Sequence, residues 1–177
     1  MQDSVDRIVD QWASEQPDLP AEAMAIFGRI YRIAAVAGEI MERVYARYGI
    51  TRADFDVLAA LRRSGPPFRL PPGALSATLM LTTAGMTGRL NRLQGAGLIT
   101  RSPAATDGRS VLVTLTTQGH TVIDHAVRAG VSVQQQLLTG IADNHRHELT
   151  ALLRDLLDSC VEYADQTTGT PVDTRDP

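Results

Sequence analysis

Amide, guanidinium and hydroxyl side chains that can form directed hydrogen bonds are concentrated in one stretch of the chain, residues 82–119. Asn91, Arg92 and Arg109 carry planar groups that can make two parallel hydrogen bonds to one flat partner. Asparagine pairs in this way with adenine, and arginine pairs with guanine or with a phosphate. The sequence has no paired catalytic carboxylates, nucleophile elbow or glycine-rich phosphate loop. It therefore predicts recognition of a nucleic acid rather than catalysis.

A helix and a hairpin are needed to present these groups. Apolar residues at helical spacing, followed by a helix-ending glycine, predict the helix. They are Met86, Leu90, Leu93 and Gly97. Two β-rich segments follow, 98–101 and 111–115, and the loop between them holds the turn formers Asp107 and Gly108. This order is typical of a winged helix, which lays a helix in the major groove of DNA and a hairpin on the flanking backbone.

The surface of the helix that meets DNA follows from the helical repeat of about 100° per residue. If the apolar residues face the core, the opposite side carries small or polar residues. The predicted DNA-binding residues are Thr83, Ala84, Thr87, Gly88, Asn91 and Arg92 on the helix, with Asp107 and Arg109 in the loop. Arg89 falls roughly 60° from the core direction, which favours a pocket or an ion pair over base contact.

The distribution of charge supports this interpretation. The net charge of the chain is −3, yet residues 57–110 hold seven arginines and one aspartate, a net charge of +6. The excess positive charge coincides with the winged-helix pattern, as expected for a surface that faces phosphates. The single cysteine, the acidic start and the absence of a long apolar run predict a cytoplasmic protein without a membrane partner. The histidine spacings predict no metal site, and no cofactor is expected.

The rest of the chain divides into helical segments around this core. We predict a mainly α-helical fold with a small β-hairpin wing, in which dimerisation helices lie on both sides of a winged helix-turn-helix. The predicted segments are an added helix with a linker (1–20), a dimerisation helix (21–50), the DNA-binding lobe (51–116), C-terminal dimerisation helices (117–165) and a disordered tail (166–177). The flanking helices carry apolar stripes with no second domain to cover, which favours a homodimer and a palindromic operator in double-stranded DNA.

One helix start is well specified. Thr51 and Asp54 have the spacing of a capping box. Asp56 is not needed for that cap and stands among apolar neighbours, so we expect it to have a basic partner, either Arg101 or Arg89.

These segments resemble the multiple-antibiotic-resistance regulator (MarR) family over residues 21–163. The resemblance rests on Phe55-Asp56-Val57-Leu58, on GMTGRLNRLQGAGLITR within Leu79 to Arg101, on Asp107-x-Arg109, and on Leu115-Thr116-x-x-Gly119. It implies a dimeric winged-helix transcription regulator, usually a repressor, with a ligand pocket between the dimer interface and the DNA-binding lobe.

A narrower resemblance, to the urate-responsive branch of that family, rests on the N-terminal helix with WASEQPDLP and on LAALRRSGPPFRL. It implies that Trp12 and Arg89 hold a small anionic aromatic ligand, urate or a related purine. It also implies that Asp56 and Arg101 form a pair that the ligand disturbs. The chain departs from the pattern at Gly88 and Gly108. Two alternatives remain: a regulator that responds to a phenolic or aromatic acid or to no ligand, and a dimerisation or docking module that binds no DNA.

Overall fold

The computed structural model describes residues 2–79, 83–103 and 111–167 of the chain. Within them the chain forms seven helices and one three-stranded antiparallel sheet. The helices are α1 (Ser4–Glu15), α2 (Glu22–Ala46), α3 (Arg52–Arg63), α4 (Pro72–Leu79), α5 (Thr83–Gly95), α6 (Thr117–Leu137) and α7 (Asp143–Thr167). The strands are β1 (Arg69–Leu70), β2 (Ile99–Pro103) and β3 (Val111–Leu115). The predicted fold class, mainly helical with a small β element, is confirmed. None of the described helices is both long and apolar enough to cross a lipid bilayer.

The first helix begins at a capping box and lies against the second. The Asp3 side chain accepts hydrogen bonds from the backbone N–H groups of Val5 and Asp6, and the Asp6 carboxylate accepts one from the backbone N–H of Asp3. Arg29 of α2 donates to both carboxylates, with 3.0 Å between its Nε and Asp3 Oδ2. Val5 is buried where α2 has Gly28, and a Cβ at that glycine would lie 3.0 Å from Val5 Cγ1. The same residues therefore start α1 and hold it on α2.

The core lies where α3, α5 and the sheet meet. The capping box predicted at Thr51 and Asp54 is present and starts α3. Apolar side chains from each of these elements are almost fully withdrawn from water. They are Val57, Leu58 and Leu61 of α3, Met86, Leu90 and Leu93 of α5, and Ile99 and Val113 of the sheet. Burying each such side chain contributes about 1.5–3 kcal/mol, so this cluster fixes α5 on its inner side.

The sheet has one strand more than the sequence predicted. The hairpin of β2 and β3 is present, in register from Ile99 opposite Leu115 to Pro103 opposite Val111. β1 pairs with the other edge of β3, with Leu70 opposite Val113, so the strand order is β1-β3-β2. A strand of two residues is too short to produce an alternating pattern, which explains why the sequence did not reveal it.

The chain divides into two compact units, Met1–Val133 and Gln134–Pro177. In the second unit α7 reaches Thr167, so the tail predicted from residue 166 begins at least two residues too early. Residues 168–177 of that tail lie outside the described residues. None of the α7 side chains is buried within one chain, although several are large and apolar. The exposed ones are Leu149, Leu152, Leu153, Leu157, Val161 and Tyr163.

Candidate nucleic-acid interface

The α5 helix presents a polar outer surface above its buried inner one. Thr87, Gly88, Asn91 and Arg92 are exposed, and Arg89 is half-buried at the flank, as the helical repeat predicted. A Cβ added at Gly88 would meet no atom within 4 Å. The outer surface of α5 is therefore open at Gly88, as a helix that presses into a groove requires. The side chains of Thr83 and Ala84, also predicted to contact DNA, lie outside the described residues.

An ion pair fastens α5 to the start of α3. Arg92 donates through Nη2 to Asp54 Oδ1 at 2.6 Å and to the hydroxyl of Thr51 at 3.2 Å. The Asp54 side chain is only 5% exposed, whereas that of Arg92 is 53% exposed. We expected the guanidinium group of Arg92 to reach DNA. In the structure its Nε and Nη2 atoms are bound by a buried carboxylate.

Asp54 stays ionised in this position. Burial raises the pKa of its carboxyl, but the hydrogen bonds from Arg92 and Thr51 outweigh that effect and hold the pKa below its ordinary value. The sequence identified Asp54 as a helix cap and Asp56 as the carboxylate that needed a partner. In the structure Asp54 both caps α3 and pairs with an arginine, because the third position of α3 points toward α5.

The predicted pair between Asp56 and Arg101 is not formed. Asp56 lies 3.8 Å from Arg52, one turn earlier on α3. Arg101 of β2 instead donates from Nη2 to the side-chain oxygen of Asn91 on α5. The prediction was wrong because it placed the partner of Arg101 on α3, whereas the strand directs this side chain toward the recognition helix.

An open cleft of about 550 Å³ lies beside the α3–α5 ion pair. Its lining residues come from α2, α3 and α5 and carry three positive and two negative groups. They are Glu42, Thr51, Arg52, Ala53, Asp56, Arg89 and Arg92. The structure therefore brings together two of the four predicted ligand residues, Asp56 and Arg89. The other two, Trp12 and Arg101, do not line this cleft, and the Trp12 side chain on α1 is 41% exposed.

A second cleft, of about 340 Å³, lies between α3 and α6. Its walls combine apolar groups with arginines: Phe55, Ala59, Arg62, Arg63, Asp124, Val127 and Arg128. Arg62 donates to Asp124 at 2.8 Å and lowers the pKa of that carboxyl. The sequence analysis did not identify this cleft. Two spacings in the sequence could have indicated it. Phe55 and Arg62 are seven residues apart on α3, and Asp124 and Arg128 are four apart on α6, so each pair shares one side of its helix.

The comparisons with known proteins agree with this geometry. A model of the MarR family matches residues 48–110. The chain is 34% identical to PecS of Dickeya dadantii, an HTH-type transcriptional regulator, over 149 residues that make up 84% of this chain and 90% of that protein.

The chain belongs to the MarR family. Its fold resembles that of a mutant E. coli MarR complexed with operator DNA, with a TM-score of 0.68, 26% identity, and coverage of 79% of this chain and 99% of that one. It also resembles Bordetella bronchiseptica BpsR, described for regulation of its DNA binding by 6-hydroxynicotinic acid, with a TM-score of 0.67, 25% identity, and coverage of 79% and 96%. The relatives are transcriptional regulators, so this MarR-family chain is a DNA-binding winged-helix regulator and not an enzyme.

Two residues predicted for the MarR wing, Asp107 and Arg109, lie outside the described residues, and their contact with DNA stays a prediction. Among residues 2–79, 83–103 and 111–167, no group of three or more histidine, cysteine, aspartate or glutamate side chains could hold a metal ion.

Proposed function

We propose that the protein is a homodimeric repressor that binds a palindromic operator through α5 and the hairpin loop. The observation that carries this proposal is the division of α5 into two sides. Its inner side is anchored by Met86, Leu90 and Leu93, and its outer side is small and polar around Gly88 and Asn91. A helix of this kind can enter a major groove without steric conflict and can be held there at a fixed angle. A regulator that binds DNA would act in the cytoplasm, which is the location that we predicted from the sequence.

Exposed apolar surface on the outer helices supports the homodimer. In the first unit, α2 exposes 68% of Tyr31, 66% of Ile33 and 53% of Val36. The second unit independently exposes the leucines of α7. Large apolar side chains exposed on helices of each unit are typical of surfaces that a second subunit covers, and closed two-fold symmetry matches a palindromic site.

A small anionic aromatic ligand, with urate or a related purine favoured, is the proposed effector. Arg89 lies in the open cleft and has no ion-pair partner among the described residues. An anion in the cleft would be drawn to Arg89 and Arg52 and would compete with Asp54 for Arg92. Because Arg89 and Arg92 both belong to α5, ligand binding would be coupled to the position of the recognition helix. A coupling of about 1–3 kcal/mol is sufficient to release DNA. We also propose that the ring of the ligand stacks on Trp12, and this contact stays a prediction.

The second cleft favours an aromatic acid as the alternative effector, since it offers apolar walls at Phe55 and Val127 beside Arg62 and Arg63. BpsR is described for regulation of its DNA binding by 6-hydroxynicotinic acid, so a compound of this class belongs in the test panel.

The test begins with selection of operators from a random DNA library by the full-length protein, followed by fluorescence anisotropy with the enriched site. Urate, xanthine, hypoxanthine, salicylate and 6-hydroxynicotinic acid are then titrated against the complex. We expect urate to release the DNA from the wild type, and Arg89→Ala to bind DNA but to resist release. Arg63→Ala is the matched control, since it removes an arginine from the other cleft. If no sequence is enriched, recognition of a specific operator is refuted and a dimerisation or docking role is favoured instead. If an aromatic acid acts and Arg63→Ala is the resistant variant, the effector belongs to the second cleft.

A further inference from the structure

The hydrogen bond between Arg101 and Asn91 joins the sheet to the outer surface of the recognition helix. Asn91 is exposed on α5, at a position that faces away from the buried Leu90. Arg101 belongs to β2, where it lies opposite Val113 of β3, and its Nη2 donates to Asn91 Oδ1. Arg101 is half-buried and belongs to a paired strand, so its guanidinium group holds the amide of Asn91 in one orientation.

This orientation has a chemical consequence. A free asparagine recognises adenine by accepting a hydrogen bond from N6 at Oδ1 and donating one to N7 from Nδ2. Here Oδ1 already accepts from the Arg101 guanidinium, which occupies one of its two lone pairs and sets a cationic donor beside any second donor at that oxygen. An adenine N6 amino group would have to share Oδ1 with this cation.

We propose that Arg101 is a positioning residue that determines which base Asn91 selects. With Oδ1 turned toward Arg101, the two N–H donors of Asn91 Nδ2 are left to face the groove. Guanine offers two acceptors on its major-groove edge, N7 and O6, whereas adenine offers one acceptor and one donor. The Arg101–Asn91 pair therefore favours guanine over adenine at one position in each half-site. The inference rests on the proposed function, because it requires that α5 lie in the groove of an operator.

The experiment measures the affinity of the full-length protein for four versions of the selected operator, which differ only at the contacted position. Asn91→Ala identifies that position as the one where base preference is lost. Arg101→Met then removes the donors while keeping an unbranched stem of similar length. Arg101→Lys keeps a charge and a donor. Arg69→Met, on β1 at the other edge of the sheet, is the matched control for loss of one positive charge.

We expect the wild type to prefer guanine to adenine at this position, and Arg101→Met to shift the ratio toward adenine by about 5-fold or more, which corresponds to about 1 kcal/mol. Arg101→Lys should keep the wild-type order of bases. Arg69→Met should lower affinity for all four versions alike. In the double variant Asn91→Ala with Arg101→Met, the shift should disappear, since Arg101 acts through Asn91.

Three results would overturn the inference while leaving the repressor intact. These are a uniform loss of affinity for all four versions in Arg101→Met, a wild-type preference for adenine, or an Asn91→Ala variant that keeps its base preference at every position. A wild-type protein that selects no operator would overturn the proposed function and this inference together. Circular dichroism melting of each variant ensures that a lost preference is not a lost fold.

Discussion

Replacement of Asp54 by alanine tests the anchoring of the recognition helix. In the wild type, the Asp54 carboxylate accepts from Arg92 Nε at 3.0 Å and from Nη2 at 2.6 Å, and its other oxygen accepts from the backbone N–H of Thr51 at 3.0 Å. The hydroxyl of Thr51 also donates to that second oxygen at 2.8 Å, so the variant loses four hydrogen bonds. It loses the tie between α3 and α5 and one half of the capping box at the same time.

The magnitude follows from the exposure of the partners. A hydrogen bond to a charged group contributes about 1.5–3 kcal/mol. Arg92 is 53% exposed and regains water in the variant, so the lower end applies to the ion pair. The lost capping bond adds about 0.5–1 kcal/mol. We therefore expect Asp54→Ala to lower the free energy of unfolding by about 2–3 kcal/mol and the melting temperature by roughly 4–12 °C.

Urea unfolding followed by circular dichroism measures this loss, and Asp56→Ala is the control. Asp56 lies on the same helix, has the same charge, and has a looser contact with Arg52 at 3.8 Å. We expect that control to change stability by less than about 0.5 kcal/mol, as is usual for an exposed pair. Equal losses in the two variants would refute the assignment of Asp54 as the anchor. A further check is the double variant with Arg92→Ala, whose loss should fall short of the sum of the single losses.

The stability that the ionised Asp54 side chain contributes depends on pH, and the sign of that dependence follows from its pKa. The pKa of Asp54 is lowered from 3.8 in the folded chain, so the unfolded chain takes up this proton at a higher pH than the folded one. The stabilisation is therefore complete above the unfolded pKa and decreases as the pH falls through the folded value. The stability difference between the wild type and Asp54→Asn should be constant from pH 6 to 8 and should shrink below about pH 4. A difference that grows on acidification would contradict the pKa direction.

Three further variants test other parts of the molecule. Gly119→Ala would place a Cβ 2.1 Å from the carbonyl oxygen of Leu98, so we expect a loss of about 3 kcal/mol in urea unfolding; a neutral result would contradict this close approach. Gly88→Ala meets no neighbour, so it should raise stability by about 0.5–1 kcal/mol yet weaken operator binding in a gel shift, because the methyl group stands on the surface proposed for the groove. Arg109→Ala should weaken operator binding by about 1–3 kcal/mol with the melting temperature unchanged, and unaltered affinity at moderate salt would argue against a wing contact.

Sequence periodicity was sufficient to predict the main helices of the DNA-binding lobe. The capping box at Thr51 and Asp54 marks the start of α3, and the spacing of Met86, Leu90 and Leu93 identifies the inner side of α5. These features depend on neighbours within one turn of helix, and local spacing in the sequence determines them.

Contacts between distant segments could not be predicted in the same way. Asp54 and Asp56 are both acidic residues in the first half of α3, and their order in the sequence does not show which one meets α5. That choice depends on the angle at which two helices pack, and it reversed our expectation. Arg101 illustrates the same limit, because the direction of a strand side chain depends on the pairing of β2 with β3.

The docking of α1 determines how this part of the chain opens. A helix of twelve residues is only marginally stable in water by itself, and Val5 is its only buried residue. Because Asp3 and Asp6 cap the helix and also receive Arg29, detachment from α2 removes the cap and the docking contact together. The backbone amides of α1 should therefore exchange with deuterium as one group, at rates well above those of α3 and faster still in Arg29→Ala. We therefore expect the N-terminal segment to melt as a cooperative unit of its own while the rest of the chain stays folded.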